Sequence, residues 1–526
     1  MRWDGPAHLV EVLGADDRPE WDDHTVASQF RLRVSFPPEA LSEAEAHGEP
    51  GEAERQGRED RREDLVLTID PADARDHDDA LAVATLPNGH HEVAVHIADV
   101  SWYVRPGTAL DDEARLRGTS CYLPGGVVPM LPERLSADLC SLRDGVDRLA
   151  LSVFIELDDH GTLHGFRFAE TVIRSRASLS YEQVQAALDG ETTLPAAQRA
   201  AVMTLMALAR RLRERRFETG ALQLESTEVR AVLDEQGDTI AMVRRPHLES
   251  HELVEEFMLL ANRCVGEAGA VREAGVIWRI HESPVERRLA ELDEMLRVLQ
   301  LPRLGHPGEP HRALQALLAM PLDPARRRLL HRLVLRSMAR ARYLDRDLGH
   351  FGLATWEYLH FTSPIRRYPD LHNHRRVREW IRRTRDAAWD AGEVAALAES
   401  CSGREQDATD AEREGTKVKG LRLLAARLGD RASGSISGLV PRGFFVEMDE
   451  PPVDGFVAIG DLLDDRFDLD AAGVRLVGRR TRRRFTLGDR VDVIIARVDL
   501  PARECELVLD EAGPRRGREH RRQGWR

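Results

Sequence analysis

The chain has 526 residues, 42% of them hydrophobic and 31% charged, with 39 glycines and 26 prolines. At roughly 100–200 residues per domain this length implies about three domains, and the composition excludes collagen-like, mucin-like and wholly disordered classes. The formal charge of −15 would oppose a polyanionic ligand only if it were evenly spread, because net charge governs solubility and approach rather than any one site.

No stretch approaches the roughly 18 uncharged apolar residues of a membrane span. Asp4 and Glu11 interrupt the opening segment, where a secretory signal would be apolar. The expected protein is cytoplasmic, with no membrane association. Cys121, Cys140, Cys264, Cys401 and Cys505 are odd in number, far apart and without a Cys-x-x-Cys pair, so neither a disulfide frame nor a zinc cluster is written here. Apart from Lys417 and Lys419, all 75 basic residues are arginine. The arginine fork suits bidentate phosphate contacts, although a GC-rich genome gives the same bias.

Residues 1–64 hold a short apolar segment, His8 to Leu13, and then polar sequence ending in the run EAEAHGEPGEAERQGREDRRED, which predicts a solvated helix or linker. Regular structure is expected to open at Leu65. Residues 65–69, 80–86, 91–100 and 149–157 have strand character, with Leu151, Val153, Ile155 and Leu157 sharing one face. The pattern turns helical between Leu194 and Gly220, with Val202, Leu205, Met206, Ala209 and Leu212 on one stripe. Further helices are predicted over about 250–269, 284–299, 324–344 and 369–384. Strands followed by helices make residues 65–427 an α+β domain. Residues 428–511 return to short alternating runs such as SGSISGLVPRGFFVEM, which predict a small β-barrel; the basic tail, 512–526, has no apolar period and reads as disordered.

The strongest chemical signal is LVLTIDPADARDHDDALAV. Asp70 ends a predicted strand, and Asp76, Asp78 and Asp79 follow in one loop. Like charges that close repel strongly unless a cation neutralises them, so the loop suits Mg²⁺ or Mn²⁺ and metal-assisted hydrolysis of a phosphate ester. An exposed acidic turn is the competing reading, and Asp73 lies in the same loop. A second cluster, HFTSPIRRYPDLHNHR, places Arg366 and Arg367 beside Tyr368 and ahead of a predicted helix start, with His350, His360, His372, His374 and Arg375 around them. Two arginines at a helix N-terminus make an anion site; alternatively an arginine packs on Tyr368 or pairs with Asp370. Tyr122, before a Pro-Gly-Gly turn, is either a base-stacking aromatic or a core tyrosine. Asp410, Glu412 and Glu414 fall in a predicted helix.

TIDPADARDHDDAL, CYLPGGVVPMLPERLSADLCSL, HFTSPIRRYPDL and the terminal barrel together resemble the ribonuclease II/ribonuclease R family of exoribonucleases, over residues 65 to 513 and in the expected order. The wording is closer to the ribonuclease R branch. The resemblance implies an RNB catalytic domain followed by an S1 domain of OB type. Its activity would be processive 3′→5′ hydrolysis of single-stranded RNA to nucleoside 5′-monophosphates with Mg²⁺, by a monomer with no obligatory protein partner. By the same resemblance Asp70, Asp76 and Asp79 are metal-binding carboxylates and Asp78 positions or activates the attacking water or a second ion. Tyr122 stacks on the 3′-terminal base, Arg366 holds the scissile phosphate, Glu412 lines the product end, and Glu255 and Arg367 contact RNA. In the barrel Phe444, Phe445 and Phe456 are candidate base-stacking residues, about half of them expected in the core, and Arg479 to Arg484 could track phosphates. The family's long members carry two cold-shock barrels ahead of the catalytic domain; here the resemblance covers only the final strand and exit of the second, from HLVEVLG to about Glu45. A catalytically silent RNA-binding protein on the same scaffold is the alternative.

Overall fold

The computed structural model describes residues 18–224, 228–272, 275–304, 308–384, 390–462 and 465–510. The apolar opening segment and the basic tail lie outside them. The early strand signals close into a five-stranded barrel formed by Glu59–Asp70, Asp79–Thr85, His91–Ala98, Asp147–Leu157 and Leu163–Ser180. Neighbouring strands run antiparallel, except that the first and last pair in parallel to shut the barrel. Alternation splits the strand Asp147–Leu157 between two cores. Leu151, Val153, Ile155 and Leu157 pack with Leu253 and Phe257 of the helix Glu249–Arg272. Ala150 and Phe154, on the opposite face, pack with Val100, Leu131 and Leu135. Each such leucine or phenylalanine contributes about 1.5–3 kcal/mol by leaving water.

The first strand begins at Glu59, six residues before the apolar signal. Its outer half is held by ion pairs: Glu59 accepts from Arg167 of the last strand at 2.8 Å, and Arg62 reaches Asp60 and Asp147. A run dense in both charge signs reads as solvated in one dimension and becomes cross-strand pairing in three. Ahead of it, residues 18–57 form only short helices, among them Asp22–Gln29 and Pro38–Ala46. The expected cold-shock exit strand is therefore not found from residue 18 onward, and its earlier part lies outside the described residues.

The helical stripe forms Ala196–Glu218 as expected, with Val202, Leu205, Met206 and Ala209 buried. The helix predicted over 324–344 stops at Ser337, and Arg342–Leu344 instead pairs as a strand with Trp278–Ile280. A helix of 35 residues, Ala391–Ala425, runs from the catalytic domain to a second closed barrel. That barrel comprises Arg431–Val440, Gly443–Met448, Asp454–Ala458, Arg490–Asp499 and Glu504–Leu509. A three-stranded sheet, Phe467–Leu469, Arg475–Gly478 and Arg484–Thr486, is inserted into it. The second barrel's core continues into Leu421 and Leu424 of the long helix and into Ala231 and Met242 of a hairpin, Glu228–Leu233 with Thr239–Arg245. One apolar cluster thus joins the terminal barrel to the catalytic domain. Among the described residues no helix is long and apolar enough to cross a membrane.

Candidate active site

Because one barrel strand ends at Asp70 and the next starts at Asp79, the acidic loop is clamped at both ends. It is also pinned in the middle: Ser141 Oγ accepts from His77 N at 3.1 Å and donates to Arg75 O at 2.7 Å, and Leu142 N donates to His77 O at 3.0 Å. Asp78 is 4% exposed. Its Oδ1 accepts from the Ile365 backbone N–H at 2.8 Å, which ties the acidic loop to the arginine motif. Its Oδ2 has no hydrogen-bond partner and lies 3.6 Å from Arg366 Nε. Burial pushes this carboxyl well above the usual carboxylate range, against the pull of Arg366. The Asp79 carboxyl is pushed up to about 8, by burial and then by the charge of Asp70.

These groups face a cavity of about 720 Å³ lined by Asp70, Asp76, Asp78, Asp79, Tyr122 and Arg366. Four carboxylates, one guanidinium and one aromatic ring, distant in sequence, therefore meet in one volume. Tyr122 is 41% exposed, its hydroxyl donates to Asp76 Oδ2 at 2.9 Å, and its backbone N–H donates to Glu412 Oε1 at 2.8 Å. It belongs to a minimal hairpin, Cys121–Leu123 with Gly126–Val128, so the core alternative is excluded. Glu412 acts from behind, holding the tyrosine's backbone. Arg366 is aimed by Ser363, whose Oγ accepts from Nη2 at 3.0 Å.

Several other candidates fall elsewhere. Arg367 does not line the cavity; it donates to Asp370 Oδ1 at 2.7 Å, and Asp370 is wholly buried at the start of the helix Tyr368–Arg382. Glu255 is exposed on the helix Glu249–Arg272, about 4 Å from both Arg216 and His247, and does not line the cavity. His350, His360, His372 and His374 are not cations around the phosphate site, because burial drives each imidazole toward its neutral form. Arg375 is spent on buried Asp111 at 2.6 Å. In the terminal barrel Phe444 is fully buried and stacks on Phe485, so it is core. Phe445 and Phe456 pair across neighbouring strands on the outer face with ring centres 5.0 Å apart. Of the basic run, Arg479 is paired with Asp468 at 2.7 Å on the inserted sheet.

The cavity also holds residues the sequence reading passed over: Tyr181, Arg230, Arg245 and Ser363. Arg230 and Arg245 sit on the hairpin that packs against the terminal barrel, and Arg230 reaches Asp73 at 2.7 Å. The signal was present, since EVRAVL and TIAMVRR alternate on either side of a DEQGD turn. Tyr181 follows a capping box at Ser180 and stacks on His251, a contact that only the fold reveals.

Oxygen-only carboxylates and the unpartnered, buried Asp78 Oδ2 fit a hard divalent ion. Among the described residues, however, no three acidic, histidine or cysteine side chains are gathered to hold an ion at once. The expected convergence of Asp70, Asp76 and Asp79 on one point is not formed: Asp70 Oδ2 is engaged by His77 Nδ1 at 2.7 Å and Asp76 by Tyr122.

The barrel, the acidic loop and the arginine motif define a nuclease of RNB type. The RNB domain profile matches residues 58–383 and the S1 RNA-binding domain profile residues 426–507. The chain belongs to the RNB family and is an exoribonuclease. It is 37% identical over 522 residues to Ribonuclease R of Thermotoga maritima, covering 96% of this chain and 72% of that protein. Mycoplasma genitalium RNase R, solved in complex with ribose-methylated single-stranded RNA, superimposes with a TM-score of 0.89 at 27% identity, over 95% of this chain and 79% of that one. Yeast Ssd1, a pseudonuclease, shares the fold alone, with a TM-score of 0.71 at 20% identity over 89% of this chain and 59% of that one.

Proposed function

We propose that this protein degrades single-stranded RNA processively from the 3′ end to nucleoside 5′-monophosphates, working as a cytoplasmic monomer with Mg²⁺, or Mn²⁺ in its place. The observation that carries this reading is the meeting of Asp70, Asp76, Asp78, Asp79, Tyr122 and Arg366 around one cavity. It is supported by the M. genitalium RNase R complex, which holds single-stranded RNA.

In this reading Tyr122 stacks on the terminal base from its exposed hairpin and fixes how far the strand enters. Arg366, oriented by Ser363, meets the scissile phosphate and neutralises the charge that grows on its oxygens. Asp78 Oδ2 accepts the proton side of the attacking water and aims its oxygen at phosphorus. Burial raises its carboxyl's affinity for that proton, against the pull of Arg366. Asp70 and Asp76, once released from His77 and Tyr122, would join Asp79 in holding a divalent ion, and that ion would polarise phosphoryl oxygen and acidify bound water. On the outer face of the S1 barrel, Phe445 and Phe456 offer rings to bases further along the strand.

The test is a 5′-labelled single-stranded RNA beside a DNA of the same sequence, with Mg²⁺ or with EDTA, resolved on a gel. Full-length RNA should pass directly to a fragment of a few nucleotides, only with metal and not for DNA. Intact but bound RNA under every condition would overturn the reading and favour a silent scaffold.

A further inference from the structure

The hairpin that carries Tyr122 cannot hold its own position. It has three paired residues per strand and exposes both Tyr122 and Val127, and an isolated two-stranded hairpin is marginal in water. The long helix holds its first strand through Glu412 and Ala408, and residues 19–36, which lie outside both matched domain profiles, hold its tip and base.

The contacts grip the hairpin at its tip, side and base. At the tip, Asp23 Oδ2 accepts from the Gly125 N–H at 2.6 Å. A Cβ at position 125 would come within 2.7 Å of that oxygen, so glycine there is what admits the carboxylate. Along the side, Val26 and Ala27 pack with Cys121 and Leu123 and with Ala408 and Ala411 of the long helix. At the base, Arg117 donates to Pro129 O at 2.9 Å and to Ser35 O at 2.8 Å. The segment itself is riveted down: buried Asp22 bridges Lys419 at 2.9 Å and Arg422 at 2.6 Å, both on the long helix.

We infer that residues 19–36 form a positioning strap that sets how deep Tyr122 stands in the cavity, so that Asp23, which touches no substrate, decides the length of the end product. The strap meets the hairpin at Gly125, Cys121 and Leu123, while the Tyr122 hydroxyl reaches across to Asp76. Loss of the tip contact frees the turn and lets the ring tilt, which weakens stacking only for RNA short enough to depend on it. The inference rests on the reading that Tyr122 stacks on the terminal base.

The experiment compares the full chain with Asp23→Ala, Asp23→Asn and Tyr122→Ala on 5′-labelled oligoadenylate with Mg²⁺. Tyr122→Ala should lengthen the end product. Asp23→Ala should also lengthen it, by about one to two nucleotides, and raise KM for short oligomers several-fold while kcat on long RNA stays within about twofold. Asp23→Asn keeps a side-chain oxygen for the Gly125 N–H and should restore the wild-type product. An Asp23→Ala product identical to wild type, beside a lengthened Tyr122→Ala product, overturns the inference. Unchanged products in both remove the tyrosine's stacking role itself. If Asp23→Ala does not fold, Gly125→Ala breaks the same contact from the other side and is read in the same way.

Discussion

Asp78→Asn separates chemistry from architecture, because its two expected effects have opposite signs. The substituted side chain keeps an oxygen for the Ile365 N–H, now accepted at 2.8 Å by Oδ1, so the tie between the acidic loop and the arginine motif survives. What disappears is a charge that burial opposes. The cation beside it, Arg366, stands 3.6 Å away with a side chain 42% exposed, so solvent screens the attraction. Removing the charge should therefore leave the unfolding midpoint in EDTA unchanged or raise it. The rate should fall by at least about 10²–10³, the cost of removing one preorganised electrostatic group from a reacting centre, or about 2.7–4 kcal/mol. Single-turnover decay of 5′-labelled RNA gives the rate, and calorimetry gives the midpoint. A rate within a few-fold of wild type would refute the role of Asp78 in the reaction. A lowered midpoint would refute the argument that its charge is a burden on the fold.

The two neighbouring arginines should divide the same way. Arg366→Ala should abolish most activity while leaving the midpoint within about 2 °C, whereas Arg367→Ala strands the buried Asp370 and should cost about 3–5 kcal/mol of stability by urea titration. In the terminal barrel, Phe444→Ala should destabilise by about 3–5 kcal/mol, and Phe445→Ala should instead weaken RNA binding, by about 1–3 kcal/mol in a filter-binding assay. As pH falls, buried histidines should weaken the fold while the raised carboxyls of Asp78 and Asp79 work in the opposite direction. Burial pulls His96, His350 and His372 down to about 3 and His374 to about 4, so above pH 6.5 folded and unfolded chains are both neutral there. Below it the unfolded chain takes up protons that the folded chain refuses. Each histidine should draw stability down by up to about 1.4 kcal/mol per pH unit, seen by urea titration as a steeper fall in Asp79→Asn, which lacks one opposing carboxyl. An Asp79→Asn profile flat between pH 7 and 5.5 would contradict it.

The sequence by itself determined four of the five strands of the first barrel, the main helices, the acidic loop and the arginine motif, because period-2 and period-3.6 patterns and clustered carboxylates are properties of neighbouring residues. Val202, Leu205, Met206 and Ala209 fell on a buried stripe for that reason. Tertiary structure decided everything that depends on what lies across a gap. Arg366 and Arg367 are adjacent and chemically identical, yet one reaches the cavity and the other is consumed by Asp370. Phe444 and Phe445 differ by one position on a pleated strand, and alternation sends one ring inward and the other outward only once the barrel is closed. The charged run from Glu59 becomes a strand because Arg167 and Asp147 supply partners over 80 residues away in the chain. Likewise Asp23 acquires meaning only where the chain returns at Gly125, a contact across 102 residues that no local pattern encodes.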